Sequence, residues 1–253
     1  MSIFAAMSQF AHDTIVPDRS SNLPKKEQVA RMFNSIAPKY DLLNRTLSAG
    51  IDVGWRKKAI RLLQAKHPKI LLDVATGTAD LAITAEHLLH PEKIIGIDIS
   101  SGMLDHGKKK ITELGLSKTI QLMEGDSENI QFPDEYFDAV MVAFGVRNFQ
   151  HLNKGISEIH RVLKRGGQIM VLEFSQPKLP FVKQLYSFYM NIVTPGIGGL
   201  ISRNRNAYQY LNDSVQQFPE GNAFTRVLEH AGFTETSINR LSWGICSIYT
   251  GTK

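Results

Sequence analysis

The chain has 253 residues, 43% of them apolar, and carries a net charge of +5 with an isoelectric point near 9.2. This length fits one large domain, or a domain with a helical attachment. A single cysteine, Cys246, excludes an intrachain disulfide and a cysteine-based zinc cluster. The nearest basic clusters, Lys108–Lys110 and the pair Arg203 and Arg205, are too small to predict a nucleic-acid partner.

We expect no signal peptide and no membrane span. The first residues lack a basic segment, an apolar run and a cleavage site, and the longest apolar run, around Ala139–Val146, is too short to cross a bilayer. The expected location is therefore the cytoplasm, with at most a transient peripheral contact at the inner face of the membrane. A homodimer remains open.

The amino-terminal part of the chain divides into an arm and a helical cap. Residues 1–24 are polar and aperiodic, which predicts a flexible arm. Residues 25–66 are predicted to form the cap, because Lys25–Ala37 and Trp55–Ala65 have apolar residues at helical spacing. Pro38 is expected to end the first of these helices.

From residue 67 onwards the chain alternates strands and helices, which is typical of a mostly parallel sheet covered on both faces. Seven strands are predicted: Ile70–Ala75, Lys93–Asp98, Ile120–Glu124, Phe137–Ala143, Gln168–Phe174, Thr234–Leu241 and Ser247–Thr252. The intervening helices are predicted at Leu81–Leu89, Met103–Leu114, His151–Leu163 and Ala223–Ala231. A short turn joins the last two strands, so they should form an antiparallel hairpin. An aromatic-rich insertion at about residues 177–218 is predicted to form a substrate lid.

The turn after the first strand predicts a nucleoside cofactor site. Strand Ile70–Ala75 runs into small residues around Gly77, and Asp98 ends the next strand 21 residues later. Such a turn lets the backbone approach a ligand, and such an acid accepts both ribose hydroxyls, as in dehydrogenases and methyltransferases. The run Gly77-Thr78-Ala79 is not G-x-G-x-x-G, which disfavours a dinucleotide. This turn and the terminal hairpin together predict an α/β fold of the class I S-adenosylmethionine-dependent methyltransferase type, with a Rossmann-like sheet.

Acids at three consecutive strand ends suit the parts of S-adenosylmethionine. Asp73 would face the ammonium, Asp98 the ribose, and Asp126 the adenine amino group, with the backbone of Ser127 near a ring nitrogen. Gly77 would allow close approach, and Thr78 would add a hydroxyl. The alternative for Asp73 is a helix cap, and for Asp126 a turn.

Several further motifs resemble one family, the ubiquinone/menaquinone biosynthesis C-methyltransferases, over about residues 26–253. These motifs are Phe33-Asn34-Ser35-Ile36-Ala37-Pro38-Lys39-Tyr40-Asp41-Leu42-Leu43-Asn44, Leu47-Ser48-Ala49-Gly50, Trp55-Arg56, Phe144-Gly145-Val146-Arg147-Asn148-Phe149 and Leu172-Glu173-Phe174-Ser175-Gln176-Pro177. The family usually has glycine at Thr76 and Ala79, so we expect altered packing there. It often has a polar residue at Ala143, whose backbone is still expected to line the site.

The resemblance implies methyl transfer from S-adenosylmethionine to a ring carbon of a polyprenylated quinol. The preferred substrate is demethylmenaquinol, which would become menaquinol. The alternatives are the ubiquinone-pathway substrate 2-methoxy-6-polyprenyl-1,4-benzoquinol and another small molecule of a class I methyltransferase. The sulfonium supplies its own leaving group, and the sequence has no His-x-His or cysteine cluster, so no metal is expected.

Four residues are the candidates for handling the quinol. Arg147 follows the fourth strand and would hold a phenolate or orient a water, while Asn148 would bond the second quinol oxygen. The alternative is that Arg147 pairs with an acid and Asn148 begins a turn. Tyr40 and Asp41 would close over the site from the cap, or else would only follow a helix that ends at Pro38.

Overall fold

The computed structural model of the protein describes residues 10–182, Gln184 and residues 205–253. The helices are α1 Lys25–Ile36, α2 Tyr40–Leu47, α3 Ile51–Arg61, α4 Asp80–Leu89, α5 Ser101–Glu113, α6 Leu152–Val162, α7 Arg205–Gln217 and α8 Asn222–His230. The strands are β1 Ile70–Val74, β2 Lys93–Asp98, β3 Ile120–Glu124, β4 Phe137–Ala143, β5 Leu163–Phe174, β6 Thr234–Leu241 and β7 Cys246–Thr252.

These strands form one sheet in the order β3-β2-β1-β4-β5-β7-β6. Strands β1 to β5 pair in parallel, whereas β7 is antiparallel to both β5 and β6. The predicted sheet with its terminal antiparallel hairpin is therefore confirmed. Strands β1 and β4 are neighbours in the sheet, although β2 and β3 come between them in the sequence. Strands β2 and β3 lie on the other side of β1. At such a switch point the carboxyl ends of the strands leave a crevice in which α/β proteins bind ligands.

Helices cover both faces of the sheet, and strand β4 illustrates why. Val140 and Val142 pack into one core with residues of α6 and α8, while Ala139 and Met141 pack into a second core with residues of α3 and α4. Successive side chains of a strand point to opposite faces, so a strand buried on both faces is apolar throughout. All four of these side chains are buried.

The cap contains a helix that the sequence did not predict. Helix α1 ends at Ile36, as Pro38 predicts, but a 3-10 turn at Ala37–Lys39 follows at once, and α2 begins at Tyr40. Proline is tolerated in the first turn of a helix, where its missing N–H has no partner to lose. Helix α3 begins at Ile51, one turn earlier than predicted.

The structure describes part of the predicted arm and part of the predicted lid. Ala11–Thr14 forms a 3-10 turn, and the buried ring of His12 lies 5.8 Å from that of Phe218. Residues 1–9 of the arm, and residues 183 and 185–204 of the lid, lie outside the described residues. Within the described ranges, no helix is long and apolar enough to cross a membrane.

Candidate active site

Two adjoining cavities open at the carboxyl ends of β1, β2 and β4. With the space open to solvent included, the larger measures about 650 Å³ and the smaller about 350 Å³. Five residues line both cavities: Tyr40, Ala75, Gly77, Ala143 and Phe144. The cavities thus lie where α/β proteins of this topology bind their ligands.

The backbone that borders these cavities is strained. Ala75, Ala79 and Phe144 have φ of 55°, 67° and 57°, a left-handed region that side chains with a Cβ rarely adopt. Gly77 has φ of 56°, and a Cβ added there would meet no atom within 4 Å, which leaves room for a ligand against the backbone. Strain of this kind concentrates at ligand sites. It also explains the expected glycine at Ala79, since glycine adopts this conformation without penalty.

Asp73 lies at the end of β1 and lines the smaller cavity. Its Oδ2 accepts a hydrogen bond of 2.6 Å from Thr76 Oγ1, so Thr76 orients the carboxylate. Its Oδ1 is buried and has no partner among the described residues. Burial, with a smaller contribution from the nearby charge of Asp98, raises the pKa of Asp73 to about 7. An unpartnered buried carboxylate oxygen in a cavity fits a ligand ammonium.

Asp98 ends β2 and holds two loops at the larger cavity. Its Oδ2 accepts from the backbone N–H of Gly77 at 2.8 Å, and its Oδ1 accepts from that of Ser100 at 2.8 Å. A carboxylate has about four acceptor positions, so two remain for the hydroxyls of a ribose. Burial raises the pKa of Asp98 above its ordinary value.

The adenine end of the predicted site contains a residue that the sequence analysis missed. Lys26 of α1 forms an ion pair with Asp126 Oδ2, while Asp126 Oδ1 accepts from the N–H of Glu128 at 2.9 Å. Lys26, Asp126 and Ser127 all line the larger cavity. Nothing in the sequence places Lys26 there, because the contact spans 100 residues.

The predicted cap residues take different positions. Tyr40 lines both cavities, with its ring 6.0 Å from that of Phe33. Asp41 instead binds the cofactor loop: its Oδ1 accepts from Thr78 Oγ1 at 2.6 Å, and its Oδ2 from Lys110 Nζ at 2.9 Å. Thr78 lines the smaller cavity, but its hydroxyl is used in this bond. Asp41 therefore attaches α2 to the loop that follows β1.

Arg147 lies behind the cavity wall. Its side chain is buried, and Nη1 donates to Glu173 Oε1 at 2.7 Å and to the carbonyl oxygen of Phe144 at 2.6 Å. The arginine therefore pairs with an acid, which was the alternative interpretation. Burial raises the pKa of Glu173, and the guanidinium opposes that rise. Asn148 lines the larger cavity, and its Nδ2 lies 3.3 Å from the same carbonyl.

Comparison with known proteins identifies the family of this chain. The model of the ubiE/COQ5 methyltransferase family matches residues 22–253. The chain is 47% identical over 234 residues to a demethylmenaquinone methyltransferase of Bacteroides fragilis, covering 92% of this chain and 96% of that protein. It is 45% identical over 230 residues to a ubiquinone/menaquinone biosynthesis C-methyltransferase UbiE of Geobacter sp. (strain M21), covering 90% and 97% of the two chains.

Solved structures share the fold at low sequence identity. A methyltransferase of Thermotoga maritima, described as S-adenosylmethionine-dependent, superposes with a TM-score of 0.62 at 16% identity, covering 88% of this chain and 99% of the other. Human N-acetylserotonin methyltransferase, solved with S-adenosylmethionine, gives 0.62 at 18% identity, covering 91% and 60%. The predicted class I methyltransferase fold is confirmed. With a family model that covers nearly the whole chain, this protein belongs to the ubiE/COQ5 methyltransferase family.

Proposed function

We propose that this protein transfers a methyl group from S-adenosylmethionine to a ring carbon of a polyprenylated quinol, and that the quinol is demethylmenaquinol. The observation that carries the proposal is the pair of adjoining cavities, whose lining includes the three acids Asp73, Asp98 and Asp126 together with Tyr40, Phe144 and Asn148. The similarity to a protein named demethylmenaquinone methyltransferase, at 47% identity, supports the choice of quinol.

The described residues fit the cofactor part by part. Asp73, with its unpartnered Oδ1, would hold the ammonium, Asp98 the ribose, and Asp126 the adenine end beside Ser127. Bound S-adenosylmethionine supplies a methyl group attached to a positively charged sulfur. When the methyl group is transferred, the sulfur becomes a neutral thioether. The protein must then align the acceptor carbon with the methyl group and exclude water. Tyr40 of the cap and Phe144 of the cavity wall would do both.

The role of Asp73 makes cofactor binding depend on pH. An ammonium binds the carboxylate rather than the neutral acid, and the pKa of Asp73 in the free protein is about 7. The dissociation constant should therefore rise about tenfold for each unit that the pH falls below 7. Calorimetry between pH 5 and 7.5 measures this dependence.

Asp73→Asn is the matched variant for that measurement. It should bind S-adenosylmethionine weakly, and its binding profile should lack the step near pH 7. A variant that keeps the step would assign it to another group and contradict the role of Asp73.

A quinol ring carbon becomes a better nucleophile when the neighbouring hydroxyl loses its proton. Arg147 would favour the resulting phenolate through its positive charge, and Asn148 would donate to the second ring oxygen. The ring carbon forms its bond to the methyl group and then loses its own proton, which restores the aromatic ring. Of these two residues, Asn148 lines the cavity and Arg147 lies directly behind it.

Incubation with methyl-labelled S-adenosylmethionine tests the substrate. We expect label in the ring of reduced demethylmenaquinone. The 45% identity to a relative named for both quinone pathways favours one further candidate, 2-methoxy-6-polyprenyl-1,4-benzoquinol. Label in both products would make the enzyme dual in specificity, and label in neither, with cofactor binding intact, would overturn the quinol assignment.

We also propose that an anionic membrane surface delivers the substrate, and that a set of exposed apolar side chains, here called the rim, makes the contact: Ile51, Leu179, Phe181 and Trp243. Trp243 is 76% exposed and adopts φ of 55°, while its neighbour Ser242 accepts a hydrogen bond of 2.9 Å from Trp55 Nε1. The ring of Trp55 contacts that of Phe144 in the cavity wall. These contacts connect the segment that carries Trp243 to the cavity wall, and exposed tryptophan favours the membrane interface.

Charge supports a bilayer as the partner of this rim. Lys178 is exposed beside Leu179, and the Arg240 guanidinium lies next to Gly244, which follows Trp243. Trp243→Ser should weaken binding to vesicles that contain anionic phospholipid by about tenfold, because it removes one large apolar side chain from the contact.

Vesicle co-sedimentation measures this loss. Leu114→Ser is the matched control, since Leu114 is 54% exposed but follows α5 at the opposite edge of the sheet. Equal binding by the two variants would contradict the rim as the membrane contact.

A further inference from the structure

Tyr210 of α7 reaches the active site from the far end of the predicted lid. Its side chain is buried, with only 3% of the residue exposed, and its hydroxyl oxygen lies 3.1 Å from Asn148 Oδ1. The two residues are 62 positions apart in the sequence. Neither the composition nor the spacing of the sequence predicts this contact, which the fold alone brings about.

The surroundings of Asn148 determine which way its amide points. One end of the amide faces the carbonyl oxygen of Phe144 at 3.3 Å. A carbonyl only accepts hydrogen bonds, so the atom facing it is the nitrogen, and the amide oxygen faces Tyr210. The phenol must therefore donate to Asn148. Burial raises the pKa of Tyr210, which keeps this donor protonated.

With these two bonds made, Asn148 retains one N–H. Its Nδ2 carries two hydrogens, and within residues 10–182 and 205–253 only the carbonyl of Phe144 accepts from it. Asn148 lines the larger cavity beside Phe144 and Tyr40. Without the phenol bond, only the 3.3 Å bond to the carbonyl of Phe144 would hold the amide, which could then turn further about its last bond.

We propose that Tyr210 is a positioning residue for methyl transfer, which fixes the Asn148 amide so that its remaining N–H faces an oxygen of the bound quinol. This inference rests on the proposed function. A donor held in place before reaction stabilises developing negative charge on the ring oxygen without reorganisation. Tyr210 itself touches neither reactant and acts through Asn148.

A double-mutant cycle tests the proposal. Tyr210→Phe should lower kcat about tenfold and leave the dissociation constant of S-adenosylmethionine unchanged. Asn148→Ala should lower kcat by more, and adding Tyr210→Phe to it should cause no further loss, because the only route of action is already gone. An equal tenfold loss in both backgrounds would overturn the proposal, since a purely structural tyrosine acts independently of Asn148.

Tyr249→Phe is the matched control. Tyr249 is also buried, and its hydroxyl bonds the N–H of Gly221 at 2.8 Å, away from the cavities. The control should lose some thermal stability but keep kcat. A kcat for Tyr210→Phe that matches the control would also overturn the proposal.

A second readout separates this inference from the proposed function. The side-chain amide signals of Asn148, assigned by their absence in Asn148→Ala, should shift in Tyr210→Phe and not in Tyr249→Phe. If the wild-type enzyme methylates neither quinol, the proposed function fails, and these signals alone decide the Tyr210 contact. Unchanged signals in Tyr210→Phe would overturn it.

Discussion

Replacement of Asp98 by alanine should weaken S-adenosylmethionine binding at least about 100-fold. The carboxylate has two tasks: it accepts the backbone N–H groups of Gly77 and Ser100, and it retains two acceptor positions for the ribose hydroxyls. Hydrogen bonds to a charged group contribute about 1.5–3 kcal/mol each, so loss of two ribose bonds alone corresponds to this factor. Unpairing the Gly77 N–H should loosen the loop and increase the loss.

Isothermal titration calorimetry measures this effect, with thermal unfolding as a check that the variant folds. Asp105→Ala is the matched control, because Asp105 is an exposed aspartate on α5. It should bind the cofactor like the wild type. Less than a tenfold loss for a folded Asp98→Ala would show that the ribose lies elsewhere.

Arg147→Met should both destabilise the protein and stop the reaction, and a second substitution should separate the two effects. Removing one partner of a buried ion pair costs about 3–5 kcal/mol, because Glu173 is left as an uncompensated buried charge. For a domain of this size, that loss lowers Tm by roughly 6–20 °C. It should shrink as the pH falls, since the pKa of Glu173 is already raised in the folded protein and protonation removes the charge.

The double variant Arg147→Met, Glu173→Gln should recover most of the stability. Glutamine is neutral, and its amide oxygen can still accept the N–H of Phe174, which Glu173 accepts at 2.8 Å in the wild type. If Arg147 stabilises the quinol phenolate, the kcat of this double variant stays about 100-fold or more below that of the wild type, although its stability has recovered. Recovery of activity together with Tm would make Arg147 a structural partner of Glu173 only.

The sheet could be predicted from the sequence because its signals are local. Each of β1, β2 and β4 is a run of apolar residues bounded by turn residues, and the alternation with helices predicts that the strands pair in parallel. The start of β5 was placed too late. It was predicted at Gln168, whereas Leu163 already pairs with Phe137, and an irregularity in the pairing separates this pair from the pair of Ala139 with Gln168.

The strand pattern predicted the cavity-lining residues that lie at strand ends, while Tyr40 was predicted only from the family motif. Asp73, Asp98 and Asp126 were predicted because parallel strands bring their carboxyl ends together at one edge of the sheet. This prediction does not depend on contacts between distant parts of the sequence. Lys26 and Tyr210 were missed since their partners lie 100 and 62 residues away. Asp41 binds Thr78 and Lys110 and does not line the larger cavity. This position likewise depends on packing between elements, which no local sequence pattern indicates.

In the proposed reaction a new bond forms between the transferred methyl carbon and a ring carbon of the quinol. Reaction of the enzyme with reduced demethylmenaquinone and S-adenosylmethionine carrying a ¹³C methyl group tests it most directly, with the product read by carbon NMR. We predict a labelled methyl signal coupled to a ring carbon. A labelled methoxy signal, which would place the methyl group on a quinol oxygen, would contradict the proposed reaction.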